Sequence, residues 1–319
     1  MRHFYEEDIN TALQNLSGLT RIGSSLFISN RAHITGMFSG AQRKPNNLLL
    51  PDDVPHLGLY DSLLPEELVN EDILSEFYNG EPVYVALDLS RVNDATGFVA
   101  IFFNEELRKI MPVLVTAVYL DRFKPGNEID LVKLMGLVTH LYRLGVNIRM
   151  VSADGFQSQY LVQRCKLLLG NDHAETFSVD KSPAAHITML NFMKLGMYQF
   201  YLCQRLQYEL ENLIWDPVAG KVDHPPNSDP TNPVYFKDVS DALANASFHL
   251  AVYENLSYED LAVTGEIAKA RGKLGRGEED EDFYGDLSEG EDYYSDVLDG
   301  VEAEEALDPV DKMMRDIMG

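Results

Sequence analysis

Two apolar, β-branched runs in this chain each end on an aspartate. VYVALDLS carries Asp88 near the end of a run read over Val83 to Leu89, and IRMVSADGFQS carries Asp154 directly after a run read over Val146 to Ala153. A third segment, FKDVSDALANA, places Asp238 and Asp241 at the start of an amphipathic helix. Charge at the end of a buried strand is costly unless something compensates it. A divalent metal ion is a natural compensation, because Mg²⁺ prefers hard oxygen ligands. Three such segments folded onto one point would make a metal-dependent phosphodiesterase site.

The segments between these acids set the fold. Val83 to Leu89, Gly97 to Phe103 and Val113 to Leu120 are apolar runs with short connections, which predicts an antiparallel three-strand meander. Asp94, in the turn-rich link SRVNDAT, reads as a turn residue and stands outside the acid set. Glu128 to Leu144 is predicted helical, with Leu131, Leu134, Val138 and Leu141 on one face and Asn127 as its N-cap. A fourth strand ends at Asp154, a helix covers Phe156 to Leu169, and a fifth strand covers Ala174 to Val179. Ser182-Pro183 opens a further helix running to about Leu195. Asp216 to Phe236, rich in Pro, Gly, Asn and Asp, is expected to be an irregular hairpin, and Asp238 to about Tyr253 returns to helix. A meander followed by strand-helix-strand-helix is an α/β pattern with a mixed sheet.

Three regions follow. Residues 1–80 read as an N-terminal extension that includes short helices over Phe4 to Leu16 and Glu66 to Tyr78. Residues 81–256 form the organised core, and residues 257–319 an acidic, disordered tail. The net charge of −25 is unevenly spread: from Arg276 to Asp308 fifteen acids face one base, a net of −14, which leaves −11 for the rest. The average therefore says little about any local groove. The longest apolar stretches, such as Met111 to Leu120, are too short to span a bilayer, and MRHFYEEDINTALQN has no apolar core of a secretory signal. Cys165 and Cys203 sit in apolar surroundings and suggest no disulfide framework. A cytosolic protein is the simplest expectation.

If the first and fourth strands are adjacent and parallel, Asp88 and Asp154 lie side by side at a spacing of about 4.8 Å between strands. Asp238 and Asp241, three apart, share a helix face that can be laid against them. Carboxylates suit such chemistry because they are anionic, hard and able to bridge. Two metal ions about 3.5–4 Å apart can hold both the attacking and the leaving oxygen of a phosphodiester. Taken singly, each Asp has a plainer reading as a turn residue or an N-cap.

The stretch from about Val83 to Glu254 resembles the nuclease domain of viral terminase large subunits, the DNA-packaging motor proteins of tailed bacteriophages and herpesviruses. The matching segments are ALDLSRVNDATGFV, VSADGFQSQYLVQRC, GKVDHP and KDVSDALANA, the last being the most specific. The resemblance implies an RNase H-like fold, a mixed sheet with an antiparallel three-strand meander plus parallel strands flanked by helices. It implies an endonuclease that cuts concatemeric double-stranded DNA with Mg²⁺ or Mn²⁺ at a two-metal site. By motif position, Asp88, Asp154 and Asp241 match the metal-binding catalytic acids and Asp238 a secondary contributor. It also implies as partners double-stranded DNA, the portal protein, a small terminase subunit and a packaging ATPase, and a place in the host cytoplasm and transiently at the procapsid portal. The chain departs from the family in one respect: GKLGRG near Gly272 lacks the spacing and hydroxyl of a phosphate-binding G-x-x-x-x-G-K-[ST] loop. The chain would then be either an isolated nuclease part or the product of a split gene whose ATPase lies on another chain.

Candidate phosphate contacts are Arg164, Lys166, Lys181, Lys194, Lys221 and Lys237, with Lys181 and Lys237 favoured because each precedes a predicted helix near the acids. Lys221 and His224 belong to GKVDHP, which resembles a hairpin beside the family's cleft; His224 also reads as a turn residue ahead of Pro225. Two rival readings stand beside the packaging nuclease. One is a junction resolvase or another RNase H-like nuclease; the other is a non-catalytic adaptor of the packaging motor that binds DNA or portal.

Overall fold

A computed structural model describes residues 25–39, 69, 71–89, 96–118, 131–154, 158–216, 219–225, 237–254 and 256. The chain divides into two units, Met1–Val263 and Thr264–Gly319, and every described residue lies in the first. Asp94, the Asn127 cap, the helix over Phe4 to Leu16 and the acidic tail lie outside the described residues.

In chain order the elements are β1 (Ser25–Leu26), α1 (Arg31–Met37), α2 (Glu71–Leu74), β2 (Val83–Asp88), β3 (Thr96–Asn104), β4 (Lys109–Val118), α3 (Leu131–Arg143), β5 (Ile148–Ala153), α4 (Gln159–Leu169), β6 (Ala174–Thr176), α5 (Ala184–Lys194), α6 (Gln204–Asn212), β7 (Ile214–Asp216), β8 (Lys221–Asp223) and α7 (Asp238–Tyr253). Two short 3₁₀ turns, Asn171–His173 and Val179–Lys181, flank β6.

The main sheet has the order β4-β3-β2-β5-β6. β2 runs antiparallel to β3, and β3 to β4, as a meander requires. β2 is parallel to β5, and β5 to β6, so the crossovers through α3 and α4 carry the chain back to the same end each time. Val83 to Leu87 and all of β3 are buried, which explains why both read as unbroken apolar runs rather than alternating ones. This mixed five-stranded sheet flanked by helices is the RNase H-like arrangement that the sequence predicts.

α7 lies across β2 and β3 and against α5. Its residues from Asp238 to Val252 are all buried. A helix buried all round needs small side chains for close approach, and Ala242, Ala244, Ala246, Ala251, Ser240 and Ser247 supply them. Two of its buried polar side chains have close partners: Ser152 Oγ donates to Asn245 Oδ1 at 2.6 Å, and Ser247 Oγ donates to Leu243 O at 2.6 Å while meeting the Tyr198 hydroxyl at 2.6 Å.

A second, three-stranded sheet has the order β1-β7-β8. A hairpin of β7 and β8, with Trp215 opposite Val222, overlaps only the start of the one expected over Asp216 to Phe236, whose residues 226–236 lie outside the described residues. Ser25 and Leu26 extend it, opposite Trp215 and Ile214, and α1 packs on α5 and α6. Among the described residues no helix is long and apolar enough to cross a membrane.

Candidate metal and nucleic-acid site

Asp88 is the last residue of β2 and pairs with Gly97 of β3. On its other side the parallel register sets Leu87 beside Ala153, and the Asp154 N–H donates to Leu87 O at 3.1 Å. Two half-buried carboxylates therefore end neighbouring parallel strands. The strands dictate this directly: each run leaves the sheet at or just after its last buried residue, where the aspartate stands, and the parallel crossover brings both carboxylates to one edge.

Gly97 brings the third segment in. A Cβ on Gly97 would fall 2.0 Å from Asp238 O and 2.8 Å from Val239 N, so only glycine allows the first turn of α7 to lie this close to the end of β3. Asp238 and Asp241, in that turn, then diverge. Asp241 Oδ1 lies 2.9 Å from His186 Nε2, and Asp241 Oδ2 lies 2.9 Å from Lys237 Nζ. Lys237 Nζ also meets Asp180 Oδ1 at 2.9 Å. Asp238 turns instead towards Arg205, with Oδ2 3.8 Å from Nη2. Arg205 Nε donates to Glu209 Oε1 at 2.6 Å, and Glu209 Oε2 accepts the Ser240 N–H at 2.8 Å, a cap supplied by α6 to a free N–H in the first turn of α7.

The charges at this edge act on one another. Burial pushes the Asp88 carboxyl well above the usual carboxylate range, and the negative charges of Asp241, Asp154 and Asp180 push it further, against the pull of Lys237. Burial also pushes Asp241 upward, but the His186 hydrogen bond and the Lys237 ammonium outweigh it and hold Asp241 below the usual range. Burial alone would lower Lys237; Asp241 and Asp180 overcome it and raise it above an ordinary lysine. An acid whose folded pKa is raised loses stability as pH climbs from its unfolded value towards its folded one, so an ionised Asp88 is a burden on the fold at neutral pH.

The donor chemistry fits a hard divalent cation. Among the described residues no three His, Cys, Asp or Glu side chains are grouped as a closed set about one ion. Yet no described residue donates a hydrogen bond to the Asp88 carboxylate, and the Lys237 ammonium stands between two carboxylates in the part of a cation. Asp88, Asp154 and Asp241 are the residues that would hold such an ion.

The basic candidates separate by position. Lys237 is inside the acid cluster. Lys221 pairs with Asp223 Oδ2 at 2.9 Å, and the charges of both Asp180 and Lys237 act on it, which places the hairpin beside the cluster. Lys181 is exposed at the end of the 3₁₀ turn that holds Asp180. His224 Nδ1 donates to Pro225 O at 2.8 Å, as a turn residue does. Sequence reasoning missed His186, Asp180, Arg205 and Glu209. The signal for His186 is a histidine on a helix whose neighbours Ala184, Ala185, Met189 and Phe192 are all core residues, since a buried imidazole requires a polar partner. Asp180 carries no such signal; VDK reads as an ordinary turn.

The sheet order β4-β3-β2-β5-β6, antiparallel across β4, β3 and β2 and parallel across β2, β5 and β6, is an RNase H-like arrangement. The chain is similar to the large terminase of bacteriophage HK97, at 15% identity over 53% of this chain and 39% of that one, with a TM-score of 0.39. It is also similar to the nuclease domain of the g2p large terminase of bacteriophage SPP1, a structure with bound Mn (14% identity, 53% of this chain, 86% of that chain, TM-score 0.34). The large terminase nuclease of thermophilic phage G20c is a third (12% identity, 52% of this chain, 80% of that chain, TM-score 0.37). No family model and no curated protein matches the sequence. At these identities the roles of individual residues rest on the site itself.

Proposed function

We propose that the chain is a divalent-cation-dependent endonuclease that cuts concatemeric double-stranded viral DNA during genome packaging. The observation that carries this reading is the surplus of acid at one sheet edge: Asp88 and Asp154 on neighbouring strand ends, Asp241 held below the usual carboxylate range beside them, and the Lys237 ammonium between Asp241 and Asp180. Mg²⁺ or Mn²⁺, if held by Asp88, Asp154 and Asp241, would supply an activated water at neutral pH and charge neutralisation at the scissile phosphate.

The chain's own residues do the rest. Asp88 and Asp154 directly follow the last paired residues of the β2–β5 ladder, which holds their backbones side by side. Asp241 is fixed by His186. Lys221 and Lys181, beside the acids, suit backbone phosphates rather than base edges, which fits an enzyme that cuts many sequences. Asp238 supports α7 through Arg205 and acts on the site through the helix. Under this reading the partners are double-stranded DNA, the portal, a small terminase subunit and a separate packaging ATPase, met in the host cytoplasm.

The test is a substrate panel. Supercoiled plasmid, linear duplex and a four-way junction are each incubated with the full chain in Mn²⁺, in Mg²⁺ and in EDTA. Metal-dependent cutting of plasmid and linear duplex is the expected result. Cutting confined to the junction would replace the packaging reading with a resolvase. No cutting of any substrate, with no Mn²⁺ binding, would make the chain a non-catalytic adaptor.

A further inference from the structure

The two oxygens of Asp241 have different partners, and the difference is built into the fold. His186 sits in the first turn of α5, is 1% exposed, and is held where α5 packs against α7. Its Nε2 lies 2.9 Å from Asp241 Oδ1, and an ionised carboxylate can only accept, so Nε2 carries the proton. Its Nδ1 is buried and has no hydrogen-bond partner among the described residues. A hydrogen there would be a buried donor without an acceptor among the described residues, so the hydrogen bond the ring can make is the one from Nε2. The ring of Phe27 meets it edge-on, centroids 6.0 Å apart, and limits its rotation.

Oδ2 faces the opposite way, to Lys237. That partner is replaceable. Lys237 also holds Asp180 Oδ1 at 2.9 Å, and the Asp180 side chain is 50% exposed, so the ammonium can give up Oδ2 and keep a carboxylate partner. Among the described residues His186 has no second acceptor to move to.

We infer that His186 is a positioning residue that reserves Oδ1 of Asp241 and leaves Oδ2 as the cation-facing oxygen. The inference rests on the metal-dependent reading of the site. Carboxylate ligands whose second oxygen is held in this way lose about 10–100-fold in metal affinity when the outer partner is removed.

The test needs no catalysis. Mn²⁺ is titrated calorimetrically into the full chain as wild type, His186→Phe, which keeps the volume without the donor, and His186→Gln, which keeps an N–H. His186→Phe is expected to bind Mn²⁺ about tenfold or more weakly, and His186→Gln within about threefold of wild type. A second measurement uses only wild-type protein: ¹⁵N chemical shifts of the His186 ring before and after saturating Mg²⁺. The Nε2–H is expected to persist and stay hydrogen-bonded. Wild-type affinity in His186→Phe, or loss of the Nε2–H on Mg²⁺ addition, overturns the positioning role and leaves the nuclease reading standing. Absence of Mn²⁺ binding to wild type overturns both.

Discussion

The two ends of the central sheet are built on opposite terms. Where β2 and β5 begin, polar groups meet matched partners. The Tyr84 hydroxyl donates to Glu254 Oε1 at 2.6 Å, and the Arg149 guanidinium lies 4.4 Å over the Tyr253 ring. Tyr78 donates to Glu81 O and accepts the Asn147 N–H, each at 2.8 Å. Where the same strands end, like charges face one another: Asp88 is pushed out of the usual carboxylate range by burial and by three other acids. Strand, ladder and burial are shared, so the difference lies in the residues chosen for the ends. One end is satisfied by the chain itself. The other keeps a surplus of negative charge, and departures of this kind from local consistency are expected at functional sites.

Several substitutions would break or sharpen that contrast. The largest effect is expected within one helical turn. Asp241→Asn should lower plasmid cleavage by on the order of a thousandfold, several kcal/mol of barrier. Asp238→Asn, three residues away and facing Arg205, should cost far less activity and act mainly on stability; equal losses of cleavage would erase the distinction between the two aspartates. Arg205→Met should follow in size. It leaves Glu209 and Asp238 buried without their guanidinium, and breaking a buried pair costs about 3–5 kcal/mol, read as a drop in the urea midpoint.

Acid should expose another buried group. His249, on the same helix, lies against the Phe177 and Phe248 rings, and burial pushes it down to about 3. The unfolded chain takes up this proton near pH 6.5 and the folded one does not until about 3, so stability should fall as pH drops through that window. His249→Leu should flatten the fall in a pH series of melting temperatures, and an unchanged slope would contradict the assignment. The smallest effect belongs to the satisfied end: Tyr84→Phe should cost about 1 kcal/mol of stability and leave cleavage unchanged.

The parts legible in the sequence were those governed by short-range pattern. Buried strands announce themselves as apolar runs, so β2, β3 and β5 fall close to where the runs do, and Asp88 and Asp154 with them; β4 begins at Lys109, four residues ahead of its run. The start of α7 is marked by its two aspartates, and Ser182-Pro183 marks α5, where the Ala184 N–H donates to Ser182 Oγ at 3.2 Å. α6 was missed because QRLQYELEN is mostly polar; its buried side is Arg205, Leu206, Glu209 and Leu210, an ion pair flanked by two leucines. The pairing of β1 with β7, the close approach at Gly97 and the division of Asp238 from Asp241 depend on contacts between distant segments. No periodicity records them. Asp238 and Asp241 share a face by spacing, yet Arg205 draws one away and His186 fixes the other.

The central claim is that the acid edge works as a cation-dependent cutting site, and Asp88 is its most exposed test. Nicking of supercoiled plasmid in Mn²⁺ should be compared for wild type and Asp88→Ala, with melting curves run alongside. Wild type should nick; Asp88→Ala should be inactive and melt at the same temperature or higher, because the substitution removes a charge the fold holds at a cost. Full nicking by Asp88→Ala would contradict the account.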